Sequence, residues 1–134
     1  MKREYAQLKQ WSDATFGHLK SHEASYFRRE LPTLPTGANL LEIGFGNGSF
    51  LSYAKSRGYI VHGIEKDVAS VALARQHGHE AFTGSGLAAL GGYDLVVAFD
   101  VLEHLSIDEI HELFETLRRL LVPGGQFLAR FPNG

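Results

Sequence analysis

Apolar residues change their spacing along this chain, and each change marks one kind of element giving way to another. Tyr5, Leu8, Trp11, Thr15, Phe16 and Leu19 recur every three to four positions, which predicts helix over the first thirty residues, with Glu23 to Leu31 as a second helical piece. Leu31-Pro32-Thr33-Leu34-Pro35-Thr36-Gly37 then breaks the pattern, since two prolines and a glycine cannot continue a helix. Residues 1–37 are expected to form an N-terminal helical arm and linker, and residues 38–134 a core domain.

Beyond the break short apolar runs alternate with helical faces. Strands are expected at Asn39–Ile43, Tyr59–Ile64, Glu80–Phe82, Tyr93–Phe99 and Gln126–Phe131. Tyr93–Phe99 is apolar on both faces, as a buried parallel strand requires. Between the strands, Phe50, Leu51 and Ala54 mark a helix ended by Gly58, and Asp67 can cap a helix carrying Val68, Val71 and Ala72 that stops at Gly78. Gly84 to Gly92 is a loop with room for one helical turn. Ser106-Ile107-Asp108-Glu109 is a capping box, and Ile107, Ile110, Phe114, Leu117 and Leu121 form the expected buried face of the helix it opens, with Pro123-Gly124-Gly125 as its end. Such alternation with short connections builds a parallel sheet with helices on both faces.

Composition narrows the function classes. The 134 residues are 44% apolar and 21% charged with a formal charge of −2, ordinary for a globular chain and without a basic field for nucleic acid. Arg28-Arg29 and Arg118-Arg119 read as solvated helix faces. There is no cysteine, which excludes disulfide scaffolds and thiolate metal sites and fits a reducing compartment. The longest apolar run is far too short to cross a bilayer, and the N-terminus lacks the apolar core of a signal peptide. A cytoplasmic protein without membrane or nucleic-acid partners is the expectation.

The chemistry concentrates in Leu40-Leu41-Glu42-Ile43-Gly44-Phe45-Gly46-Asn47-Gly48-Ser49. Glycine lets backbone turn sharply and approach a ligand closely, and this cluster follows the first strand, where parallel sheets place ligands. A dinucleotide loop has G-x-G-x-x-G spacing; here the spacing is Gly44-x-Gly46-x-Gly48, and Ser49 holds the third glycine's place. A carboxylate at Glu42 repels a pyrophosphate and suits a cationic ligand, so a nicotinamide-dependent oxidoreductase is disfavoured.

Glu42-Ile43-Gly44-Phe45-Gly46-Asn47-Gly48 resembles the first motif of the class I S-adenosylmethionine-dependent methyltransferases. Gly63-Ile64-Glu65-Lys66-Asp67 is similar to the acidic second motif. Tyr93 to Val97 continuing into Asp100-Val101-Leu102-Glu103-His104 resembles the fourth-strand motif, and Leu121-Val122-Pro123-Gly124-Gly125 the turn before strand five. The resemblance spans Leu40 to Phe131 and implies an α/β Rossmann-like three-layer sandwich, sheet order 3-2-1-4-5. It further implies that S-adenosyl-L-methionine binds, with S-adenosyl-L-homocysteine as product, and that its methyl passes to oxygen or nitrogen of a small-molecule or saccharide acceptor.

By that resemblance Gly44, Phe45, Gly46 and Gly48 pack against the cofactor's amino-acid end, and Glu42 offers negative charge to its ammonium. Glu65 accepts the ribose hydroxyls, Lys66 lies along the adenine, and Ser85 stands where relatives carry an adenine-binding aspartate. Asp100 and Val101 flank the reacting methyl. His104 is the candidate general base. A metal at Asp100, Glu103 and His104, as in some quinone methyltransferases, is weighed and set aside, since this spacing is common on helices. The glycine variant and the Arg-Phe-Pro-Asn ending look most like bacterial methyltransferases of polysaccharide or small-metabolite pathways. The family's sheet normally continues past strand five, so strand five is expected to offer a free edge for self-association or for the arm. The alternative from another class is a cofactor-binding regulatory or scaffold domain without its own activity.

Overall fold

The computed structural model describes residues 14–131. Tyr5, Leu8 and Trp11 of the expected arm helix, and Pro132 to Gly134, lie outside the described residues.

A sheet of five parallel strands forms the centre: β1 (Asn39–Ile43), β2 (Ile60–Ile64), β3 (Glu80–Phe82), β4 (Tyr93–Phe99) and β5 (Leu121–Arg130), in spatial order β3-β2-β1-β4-β5. The order 3-2-1-4-5 is as expected. The chain reverses direction across the sheet between β1 and β4, and ligand sites in such sheets lie beyond the carboxyl ends of the strands at that reversal.

Helices α1 (Ser21–Glu30), α2 (Ser49–Ser56) and α3 (Val68–Gln76) bury Phe27, Phe50, Leu51, Ala54, Val71 and Ala74 against one face. Helix α4 (Ile107–Leu120) and a 3₁₀ turn at Gly84–Ala89 cover the other, over Leu41, Ile64, Tyr93 and Val96. Period-two burial on both faces explains why the central strands are apolar throughout. Gly58 and Gly78 follow their helices in the left-handed region, at φ of 83° each, as C-terminal glycines do. Asp67 accepts the N–H of Ser70, and Ser106 and Glu109 exchange both bonds of the capping box.

Four expectations are corrected. Residues 14–17 form a turn and 18–20 have no regular structure, so the helix predicted through Leu19 is absent there; Phe16 is buried as a wedge instead. The buried side of α4 is Leu117 and Leu120, with Ile107 73% and Phe114 47% exposed, because only its last turns reach the sheet. In α3, likewise, Val68 faces solvent and Ser70, Val71 and Ala74 are buried. Finally, β5 begins at Leu121: the register jumps from Tyr93↔Leu121 to Leu95↔Gln126, so Pro123-Gly124-Gly125 bulges within the strand where a break was expected.

At the amino ends of the strands Tyr93 is buried with its hydroxyl 2.7 Å from Nδ1 of His62, whose Nε2 lies 2.6 Å from Glu80. Burial, helped by Glu80, pushes the Tyr93 phenol up to about 12. This polar cluster ties β2, β3 and β4 together at the pole opposite the glycine loop.

Candidate functional site

The loop from β1 to α2 is built by its glycines. Gly44, Gly46 and Gly48 have φ of 73°, 55° and 81°, left-handed values that cost an L-residue roughly 1–2 kcal/mol each. Side chains would also collide: a Cβ on Gly44 would meet Val101 Cγ2 at 2.7 Å, and one on Gly48 would meet Phe16 Cζ at 2.4 Å. Gly44 donates its N–H to the carbonyl of Ile64 and Gly48 to that of Phe45. The Phe45 ring is buried toward β2, over Gly63, which leaves only the Phe45 backbone to the loop surface.

Glu42, at the end of β1, is 3% exposed, and its Oε1 has no hydrogen-bond partner. Burial, reinforced by the nearby carboxylates of Glu65 and Glu23 and opposed by Arg130, holds its carboxyl well above the usual carboxylate range. A buried polar atom without a partner is costly.

Glu65, beyond β2, accepts the N–H of Gly46 at 3.2 Å and of Lys66 at 2.9 Å. A carboxylate has about four lone-pair sites, so two remain for a ligand. Lys66 is exposed beside it. Ser85 lies in the 3₁₀ turn after β3, its hydroxyl 2.9 Å from that of Thr83.

Asp100, beyond β4, is the one described non-glycine residue with positive φ, at 59°. Its N–H donates to the carbonyl of Arg130 and its Oδ2 accepts from Arg130 Nη2 at 2.8 Å. Val101 packs over Gly44, and a short 3₁₀ turn, Leu102–His104, follows. The His104 side chain is 76% exposed, with Nε2 3.6 Å from Glu103. Among the described residues no three His, Asp or Glu side chains group closely enough to hold a metal ion.

Glu42, Glu65, Asp100, Val101 and the glycines thus meet at one end of the sheet. Lys66 and Ser85 stand on its β2–β3 side and His104 on its rim. The arm adds contacts that sequence reasoning missed. Gly17 donates its N–H to the carbonyl of Asn47 at 2.6 Å, and the Glu23 carboxylate accepts from Ser49 Oγ at 3.1 Å. Arg130 was also missed; its place at the end of β5, in register with Phe99 beside Asp100, is the signal.

Comparison with known proteins gives a family model, described as a methyltransferase domain, that matches residues 16–134. Mouse tRNA (carboxymethyluridine(34)-5-O)-methyltransferase ALKBH8 is 32% identical over 102 residues, 73% of this chain and 15% of that protein. The ubiquinone biosynthesis O-methyltransferase of Paraburkholderia xenovorans is 31% identical over 100 residues, 67% of this chain and 42% of that protein. The chain therefore spans less than half the length of these curated relatives. Among solved structures, a TehB-like S-adenosylmethionine-dependent methyltransferase from Corynebacterium glutamicum superposes with a TM-score of 0.69 at 22% identity, covering 95% of this chain and 71% of that one; at this identity the likeness is one of fold.

Proposed function

From the premise that the chain belongs to the methyltransferase-domain family, we propose that it binds S-adenosyl-L-methionine and transfers the methyl to an oxygen or nitrogen of a small-molecule or saccharide acceptor. The observation that carries this reading is the orphaned, buried Glu42 carboxyl beside an open glycine loop. The residues fit the cofactor. Backbone at Gly44, Gly46 and Gly48 admits the amino-acid end, Glu42 meets its ammonium, and the two free lone-pair sites of Glu65 meet the ribose diol. Lys66 and Ser85 flank the adenine, and Asp100 and Val101 border the methyl.

When bound, the cofactor supplies a methyl on a sulfonium that leaves as a neutral thioether. The chain's own contribution is mainly positioning, which holds acceptor and methyl in line. His104, exposed on the rim beside Glu103, accepts the proton of the acceptor's O–H or N–H as it attacks. The net charge of −2 and scattered basic residues favour a small acceptor over a nucleic acid, although the mouse relative is named for action on tRNA. Among the described residues no helix is long and apolar enough to cross a membrane; with the absence of cysteine this supports a cytoplasmic setting.

Titration calorimetry with S-adenosylhomocysteine and NAD tests the reading. Binding of the first alone is expected; binding of NAD alone overturns it. A cofactor-binding module without its own activity would bind S-adenosylhomocysteine and show no methyl transfer to any acceptor.

A further inference from the structure

Four carboxylates sit at the ligand end of the sheet: Glu23 on Ser49, Glu42 under the loop, Glu65 on Gly46 and Asp100 after β4. Against them the structure sets Arg130, whose charge is felt at Glu42. Its guanidinium lies 4.7 Å from the centre of the Tyr26 ring and 5.1 Å from that of Phe99, a cation–π seat that fixes its plane. Among the described residues its side chain has one hydrogen-bond partner, Asp100, through Nη2. The pair is 35% and 41% exposed, and ion pairs this open are worth little, so the guanidinium exchanges partners cheaply.

Resting on the cofactor reading above, the charge count sets a requirement. The amino-acid end of S-adenosylmethionine is a zwitterion. Glu42 satisfies its ammonium, but its carboxylate enters a region crowded with like charge and needs a cation. Both bidentate edges of a guanidinium include Nη2, the nitrogen that Asp100 holds, so release from Asp100 restores a fork that matches a carboxylate. We propose that Arg130 turns from Asp100 to take the carboxylate of the cofactor's amino-acid end, making the Tyr26–Arg130–Phe99 stack a cofactor-specificity element of β5 and α1. The same motion ties α1, through Tyr26, to the bound ligand.

Calorimetry of the 134-residue chain with S-adenosylhomocysteine and with its decarboxylated analogue, which keeps the ammonium, tests this. Loss of a charge-assisted pair is worth about tenfold or more in affinity. Arg130→Met is expected to weaken S-adenosylhomocysteine by that factor and leave the analogue unchanged. Asp100→Asn, which frees the fork and keeps a residue type that tolerates the left-handed backbone, is expected to tighten S-adenosylhomocysteine and not the analogue. Equal weakening of both ligands in Arg130→Met, or of neither, overturns the assignment, as does weaker S-adenosylhomocysteine binding in Asp100→Asn. A wild-type chain that binds neither ligand overturns the cofactor reading itself, a result these variants cannot imitate.

Discussion

Gly46 and Glu65 are joined across the sheet end by a hydrogen bond of 3.2 Å from the glycine N–H to the carboxylate. The residue expected to grip the ribose thus also shapes the loop that meets the amino-acid end. Glu65→Ala is expected to weaken S-adenosylhomocysteine binding by about 1.5–3 kcal/mol and, through the lost backbone contacts, to lower ligand-free stability by about 1 kcal/mol. Titration and thermal melts check both; wild-type affinity would remove the ribose role.

Glu42 sets the pH dependence. Its folded carboxyl is raised above the ordinary value near 4.5, so between that value and the raised one the folded state holds more protons than the unfolded. Ligand-free stability therefore falls as pH rises through that window. Glu42→Gln is expected to flatten the dependence, to raise the neutral-pH melting temperature and to weaken cofactor binding. Melts across pH test this, together with calorimetry in buffers of different ionisation enthalpy. A wild-type curve as flat as that of the variant would contradict it.

For His104, the expectation concerns turnover alone. In a form that methylates its acceptor, His104→Ala should cost about 10²-fold in kcat, the usual reach of general-base catalysis, with cofactor affinity held. An unchanged rate would leave proximity to account for the chemistry.

Gly48 tests the loop's construction. Gly48→Ala adds a left-handed penalty and a clash with the Phe16 ring at 2.4 Å, together worth about 2–4 kcal/mol. Urea denaturation measures it, and a loss below 1 kcal/mol would mean the Phe16 wedge yields freely.

Along β5, pairing in the described residues is with β4 alone, and a groove of about 640 Å³ with Phe114, Leu121 and Phe127 in its walls opens beside it. An edge strand flanked by apolar surface recruits another strand. The chain is expected to self-associate there, with a mass by light scattering that rises with concentration. A constant monomer mass would refute it.

Much of this architecture was legible because the signals are local. Asn39–Ile43 and Tyr93–Phe99 read as strands since both faces are buried, and Ser106 with Glu109 announces its helix through bonds three residues apart. The positions of the motif residues in the fold were legible for the same reason, each standing at or just past a strand end. What escaped depends on distant pairing. Helical periodicity cannot tell that the sheet leaves Ile107 and Phe114 bare, nor that a turn would wedge Phe16 over Gly48. Arg130 and Glu23 join the site only through the β4–β5 register and the docking of α1.

The 3₁₀ turn that carries Ser85 buries none of its residues; Arg119, in the last turn of α4, donates instead to the carbonyls of Leu87, Ala88 and Leu90. One side chain, 29 to 32 positions later in the chain, therefore staples this stretch to the end of α4. The order of this stretch, proposed above to face the adenine, is borrowed: when the end of α4 frays, the stretch is expected to loosen with it. Amide protons of the two segments should exchange with solvent as a single cooperative unit, and under the proposed cofactor reading a surface change on α4 would become a dial on how long the nucleoside stays.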